Sequence, residues 1–150
     1  MRTAICYYSQ HHGNTRQVVQ AMAQEGGVDL FDLSNGLVPD LRGYELVGLG
    51  SGLYRGRFHG SVVSCAKQGL VRGQRVFFVC TYGQTQSKIP AGDIEIIAAQ
   101  KGCAFLGGFA CRGYNTAGIY WLLGGTAQGR PNGEDLAAAR QFLRRIRSRY

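Results

Sequence analysis

With 150 residues, 45% of them hydrophobic, the chain has the size and composition of one globular domain spanning 1–150, and no run of about 18 apolar residues that would cross a bilayer. Its 17 lysines and arginines against 9 acidic residues give a formal charge of +8, which favours acidic over basic partners. Five cysteines (Cys6, Cys65, Cys80, Cys103 and Cys111) form an odd set without a C-x-x-C pair, which argues against a disulfide framework.

Taken in chain order, Ala4-Ile5-Cys6-Tyr7-Tyr8 has the continuous apolar character of a strand buried on both faces. The segment Ser9-Gln10-His11-His12-Gly13-Asn14-Thr15 then reads as a loop, after which Thr15, Val18, Val19, Met22 and Ala23 recur at helical spacing. A second strand is expected at Val28 to Leu33. Ser34 to Tyr44 is too short for a full helix, so a turn is expected there. Leu46 to Gly50 reads as the third strand, and Val62, Cys65, Ala66, Gly69 and Leu70 share a helix face after it. Val76 to Cys80 gives the fourth strand. Ile94, Ile97 and Ala98 mark a helix, and Ala104 to Cys111 a fifth strand bent at Gly107-Gly108. The last helix puts Leu136, Ala139, Leu143 and Ile146 on one face, with Asn132 and Asp135 spaced as a capping box. The first strand begins almost at once, so no signal peptide is expected, and four of the cysteines fall in apolar patterns, as suits reduced thiols in a cytoplasm.

Strands alternating with helices predict an α/β fold, a doubly wound five-stranded parallel sheet with helices on both faces. Such sheets bind ligands beyond the carboxyl ends of their strands, where the strand order reverses. That rule gathers three loops: Ser9 to Thr15, Gly50 to His59, and Thr81 to Gln84. In the first, helix N–H groups lack intrahelical acceptors and the helix dipole favours an anion. Ser9 and Thr15 add hydroxyls there, and Gly13 permits close backbone approach. The expected guest is a terminal phosphate. Tyrosines in the other two loops suit a planar ring attached to it.

Plainer readings stand beside these. Ser9 and Thr15 can serve only as helix caps, and Tyr54, Tyr82 and Tyr114 as packing aromatics. His11 and His12 have no carboxylate or cysteine at ligand spacing, so no metal site is expected. His59 is expected to start a helix with its ring at the surface, and Trp121 to be core. Arg55 and Arg57 are either solvated loop charges or neighbours of the ring. Arg140, Arg144 and Arg147 form a stripe whose default reading is a solvated face matched to the helix dipole. No interleaved aromatic platform accompanies it, which argues against nucleic acid. The five-residue Cys-to-Arg spacing of a small phosphatase, the acidic residues of a receiver, a G-x-x-x-x-G-K-[ST] loop and a G-x-S-x-G elbow are all missing.

Ser9 with Gly13-Asn14-Thr15, the stretch Gly50-Ser51-Gly52-Leu53-Tyr54, and Thr81-Tyr82-Gly83 resemble, in order, the three flavin loops of the flavodoxin family. Cys111-Arg112-Gly113-Tyr114-Asn115-Thr116, with Gly124-Gly125 and Gly129-Arg130-Pro131, is similar to the tail of short bacterial members. The resemblance implies strand order 2-1-3-4-5, flavin mononucleotide (FMN) as cofactor, and an electron carrier without catalytic residues of its own. Ser9, Gln10, His11, Gly13, Asn14 and Thr15 would hold the phosphate. Ser51, Gly52, Leu53 and Tyr54, with Thr81, Tyr82 and Gly83, would contact the ring. Its charge would steer an acidic redox partner protein. The alternative is an FMN-dependent NAD(P)H or quinone oxidoreductase of related fold, with room for a second substrate built from Arg112 to Gly133. Two departures from the family pattern are the basic charge and the lack of a tryptophan in the second loop.

Overall fold

The computed structural model describes residues 2–10, 13–83, 91–113 and 129–149. Strand β1 (Thr3–Tyr8) leads through the first loop into helix α1 (Asn14–Ala23), and β2 (Val28–Asp32) ends in a short 3₁₀ turn at Leu33–Asn35. Then come β3 (Leu46–Tyr54), β4 (Arg57–Phe58), α2 (Gly60–Gly69), β5 (Arg75–Tyr82), α3 (Gly92–Gln100), β6 (Ala104–Arg112) and α4 (Gly133–Arg149). The five long strands are parallel in the order β2-β1-β3-β5-β6, the expected order, with the two-residue β4 paired antiparallel to the tip of β3.

All six residues of β1 are buried because helices cover both faces. Ala4, Cys6 and Tyr8 enter one core with Val62, Cys65 and Ala66 of α2 and Ile94, Ile97 and Ala98 of α3. Ile5 and Tyr7 enter the other, with Val18, Val19 and Met22 of α1 and Ala139, Phe142, Leu143 and Ile146 of α4. The alternation along β1 therefore separates two cores, neither of them wet, and the strand reads as a continuous apolar run. In α1 the helix buries Ala21, which the spacing left out, while Ala23 is half-buried. Asn132 and Asp135 do form a capping box at α4: each side chain accepts from the other's backbone N–H, at 3.0 and 2.8 Å.

Two details of the sheet set its edge. First, β3 and β5 run beyond the expected strands, so Ser51, Gly52, Leu53, Tyr54, Thr81 and Tyr82 are strand residues and not loop residues. Pairing with β4 and with β6 supplies backbone partners past Gly50 and Cys80, and the apolar pattern does not show that pairing. Second, the bend in β6 is a bulge. Val76 pairs with Phe105 and Phe78 with Gly108, so β6 carries one extra residue, and Gly107 takes the left-handed φ of +83° that the bulge requires.

Gly48 of the central strand β3 pairs with Phe77, whose fully buried ring fills the space a side chain would need. A Cβ at Gly48 would lie 2.4 Å from Phe77 Cζ. Gly48→Ala is expected to destabilise by about 1–3 kcal/mol through overpacking, and Phe77→Leu on top of it to recover part of the loss. Denaturant midpoints of the three proteins check this; an Ala variant as stable as the native protein would mean that the ring yields freely.

Candidate functional site

The strand order reverses between β1 and β3, and the carboxyl ends of β1, β3 and β5 lie side by side there: Tyr8 pairs with Ser51, and Gly52 with Thr81. Of the residues expected to hold a phosphate, Ser9, Gln10, Gly13, Asn14 and Thr15 lie at this edge, between β1 and the first turn of α1. His11 and His12 lie outside the described residues, as do Gln84, Tyr114 to Gly118, Trp121 and Gly124-Gly125.

The start of α1 is built unlike the other helix starts. Its N-cap is Gly13, left-handed at φ +67° and unable to supply a capping side chain, and its first turn holds no acidic residue. By contrast, α2 is capped by the His59 ring, α3 opens with Asp93 and Glu95, and α4 with Glu134 and Asp135. Among the described residues a Cβ at Gly13 would meet no atom within 4 Å. Ser9, nearly buried, accepts from the Arg16 N–H at 3.1 Å, which uses a lone pair of its hydroxyl and not its proton. The result is a helix start whose dipole is offset neither by a carboxylate nor by an N-cap side chain.

Thr15 and Thr81 join the start of α1 to the end of β5. Their hydroxyl oxygens lie 2.8 Å apart, and both residues are buried. A Cβ at Gly50 would be 3.3 Å from Thr15 Cγ2, and one at Gly52 would be 3.6 Å from Thr81 Oγ1. Small residues on β3 thus let the three segments close on one another. The Ser51 hydroxyl, fully buried, donates to Gly52 O at 2.6 Å and accepts from His59 N–H at 3.0 Å, clasping the β3–β4 hairpin. Tyr82 O accepts from Gly113 N–H at 2.8 Å, and Gly83 O from Arg112 Nη2 at 2.9 Å, so the end of β6 fixes the third loop. Leu53 and Tyr54, half-buried, form the hairpin's inner edge.

Sequence reasoning missed an aromatic group at this edge. The His59 ring is stacked on Tyr8, with centroids 3.5 Å apart and planes 5° apart, and Tyr54 stands edge-on to both. His59 does cap α2, its Nδ1 accepting from Ser61 N–H at 3.1 Å, but its ring is half-buried and not at the surface. The stack on Tyr8 is the reason. No spacing rule could have shown it, because β1 and the start of α2 meet only through the sheet.

Burial holds the His59 pKa below its ordinary value of 6.5. The native ring therefore stays neutral at a pH where the unfolded chain has already taken up a proton. Its contribution to stability is complete above about pH 6.5 and is lost as pH falls through the native pKa. His59→Asn keeps a capping side chain and removes the titration. Between about pH 7.5 and 5 the variant should lose less stability than the native protein in chemical denaturation. Parallel losses would assign the pH dependence elsewhere.

The charges at this edge are largely neutralised. Arg16 pairs with Asp32 at 3.3 Å, Arg57 with Asp93 at 3.3 Å, and Arg130 with Asp135 at 2.6 Å. Arg57, exposed, is thus tied to α3. Arg55 is exposed at the hairpin tip with φ +53°. Among the described residues no cluster of His, Cys, Asp and Glu could hold a metal. The cysteines are free; burial pushes the Cys80 and Cys111 thiols up to about 12, which leaves them protonated and unreactive. No described helix is long and apolar enough to cross a membrane.

A family model described as a flavodoxin domain matches residues 4–98. An uncharacterized protein of Methanocaldococcus jannaschii is 32% identical over 148 residues, covering 97% of this chain and 98% of the relative. Among solved structures, oxidised flavodoxin 2 from Bacillus cereus superposes with TM-score 0.71 at 14% identity, covering 99% of each chain. A Fusobacterium nucleatum flavodoxin bound to flavin mononucleotide gives 0.67 at 13% identity, covering 100% of this chain and 99% of the other. A WrbA-like flavodoxin from Agrobacterium tumefaciens gives 0.71 at 14% identity, covering 97% and 94%.

Proposed function

The chain belongs to the flavodoxin family, and from that premise we propose that it binds FMN at the β1–β3 edge and serves as an electron carrier. One observation supports the reading above the others: the start of α1, with glycine as its N-cap, no acidic residue in its first turn and the Ser9 hydroxyl on the Arg16 N–H, lies beside the ends of β3 and β5. Those residues fit the group. Backbone N–H groups of α1, with Ser9 and Thr15, would hold the phosphate; Gly52, Leu53, Tyr54, Tyr82 and Gly83 would border the ring. Bound FMN would supply the one- and two-electron chemistry, and the protein its orientation and surroundings. The Ser51 clasp and the Arg112 and Gly113 contacts hold the two ring-side segments in register before any ligand arrives, which lowers the ordering cost of binding. The buried Tyr8 ring and the half-buried His59 and Tyr54 rings would form an apolar wall on the hairpin side.

The purified protein is expected to be yellow or to become so on adding FMN, and to bind FMN at least tenfold more tightly than riboflavin, because a hydrogen bond to a charged group contributes about 1.5–3 kcal/mol. Equal affinities in a fluorescence titration would remove the phosphate from the reading. Steady-state NADH or NADPH oxidation by the pure protein would favour an oxidoreductase instead of a carrier.

A further inference from the structure

We propose that Thr81 is a positioning residue for the anion site at the start of α1, acting through Thr15 and not by touching the ring. The inference rests on the functional reading above, in which that site takes the FMN phosphate. Thr81 stands at the carboxyl end of β5, the strand expected to present residues to the ring. Its side chain is used otherwise. The hydroxyl lies 2.8 Å from the Thr15 hydroxyl, 66 residues away in sequence, and the two residues are only 4% and 2% exposed.

Two hydroxyls bonded to each other share one proton between the oxygens and keep one proton to give elsewhere. With Thr15 as donor, its proton points at Thr81 and is lost to a ligand. With Thr81 as donor, Thr15 accepts and its own proton is available at the helix start. An anion there selects the second arrangement, and a donor chain ending on a charge polarises and strengthens its members. Thr81 is buried, and its Oγ1 lies on the side of Gly52, where the missing side chain leaves the hydroxyl room to sit between β3 and Thr15 of α1. The pair therefore fixes which way the Thr15 hydroxyl faces, and does so from the strand on the far side of β3.

The test compares FMN and riboflavin titrations of the native protein with those of Thr81→Val, Thr81→Ser, Thr15→Val and the double Thr15→Val, Thr81→Val variant. Valine keeps the volume of Thr81 and removes its hydroxyl; serine restores the hydroxyl. Thr81→Val is expected to weaken FMN about five- to tenfold and riboflavin less than about twofold, as loss of one hydrogen bond near the phosphate should. Thr81→Ser should recover FMN affinity. The double variant should bind FMN no worse than Thr15→Val alone, because the two act as one unit. Should Thr81→Val not fold, Thr81→Ala carries the same comparison. Equal weakening of both flavins would make Thr81 a ring contact and overturn the proposal, as would additive losses in the double variant or unchanged FMN affinity in Thr81→Val. A native protein that does not discriminate FMN from riboflavin would overturn the functional reading, and this proposal with it. Ordinary discrimination with the wrong pattern among the variants would overturn this proposal alone.

Discussion

Gly13→Val is expected to weaken FMN binding by roughly a hundredfold, a loss of about 2.7 kcal/mol. Two effects combine. Gly13 holds φ +67°, and a non-glycine residue there costs about 1–2 kcal/mol, more when it is β-branched. Among the described residues a Cβ there would meet nothing within 4 Å, and the methyl groups would occupy the approach to the helix start. Either the backbone leaves the left-handed region and carries the α1 N–H groups with it, or the side chain stands in the ligand's place. Gly13→Asn separates the two, because asparagine tolerates a left-handed φ. It should melt within a few degrees of the native protein and still bind FMN several-fold more weakly. Fluorescence titration with FMN and melting of the apoprotein read the two effects independently. If Gly13→Val binds FMN within about threefold of the native protein, the phosphate does not sit at the start of α1.

Much of this edge was legible because it follows from short-range rules. The apolar run before Ser9 and the helical period after Thr15 fixed the strand, loop and helix, and a parallel sheet fixed which ends of the strands face the ligand. What lay beyond reach depends on register. That Ser51 and Thr81 are strand residues follows from pairing with β4 and β6, whose partners are chosen in three dimensions. The Thr15 to Thr81 bond and the stack of His59 on Tyr8 join elements that only the sheet order brings together. Gly48 shows the same limit from the core side. In sequence it is a weak strand residue, and only its pairing with Phe77 explains why nothing larger stands there.

The basic stripe of α4 was legible as a stripe but not as to its use, and its consequence is the other large effect expected. Arg147→Ala should destabilise the protein by about 2–4 kcal/mol, since hydrogen bonds from a charged donor contribute about 1.5–3 kcal/mol and their loss leaves acceptors at the α1–β2 turn. The guanidinium donates from Nη1 to Gly26 O at 2.8 Å and from Nη2 to Gly27 O at 3.0 Å. It also reaches Thr3 Oγ1, from Nη2 at 3.0 Å and from Nε at 3.3 Å. It thereby fastens the end of α4 to the start of β1 and to the turn after α1. One helical turn earlier Arg144 pairs with Glu25 at 2.5 Å, and Arg140 reaches Gln24 at 3.4 Å. Three arginines that read as a solvated, dipole-matched face all grip the carboxyl end of α1. Lysine cannot copy the fork, so Arg147→Lys should recover less than half of the loss. Salt distinguishes the neighbours. Arg144→Ala removes an ion pair whose arginine is exposed, worth at most about 1 kcal/mol and screened at high ionic strength. The Arg147 loss, made of bonds to carbonyls and a buried hydroxyl, should persist in about 1 M salt. Exposed Arg149, on the same last turn, should be replaceable by alanine within about 0.5 kcal/mol. Equal, salt-sensitive effects at all three positions would return the stripe to the surface, where its charge could again serve an acidic partner.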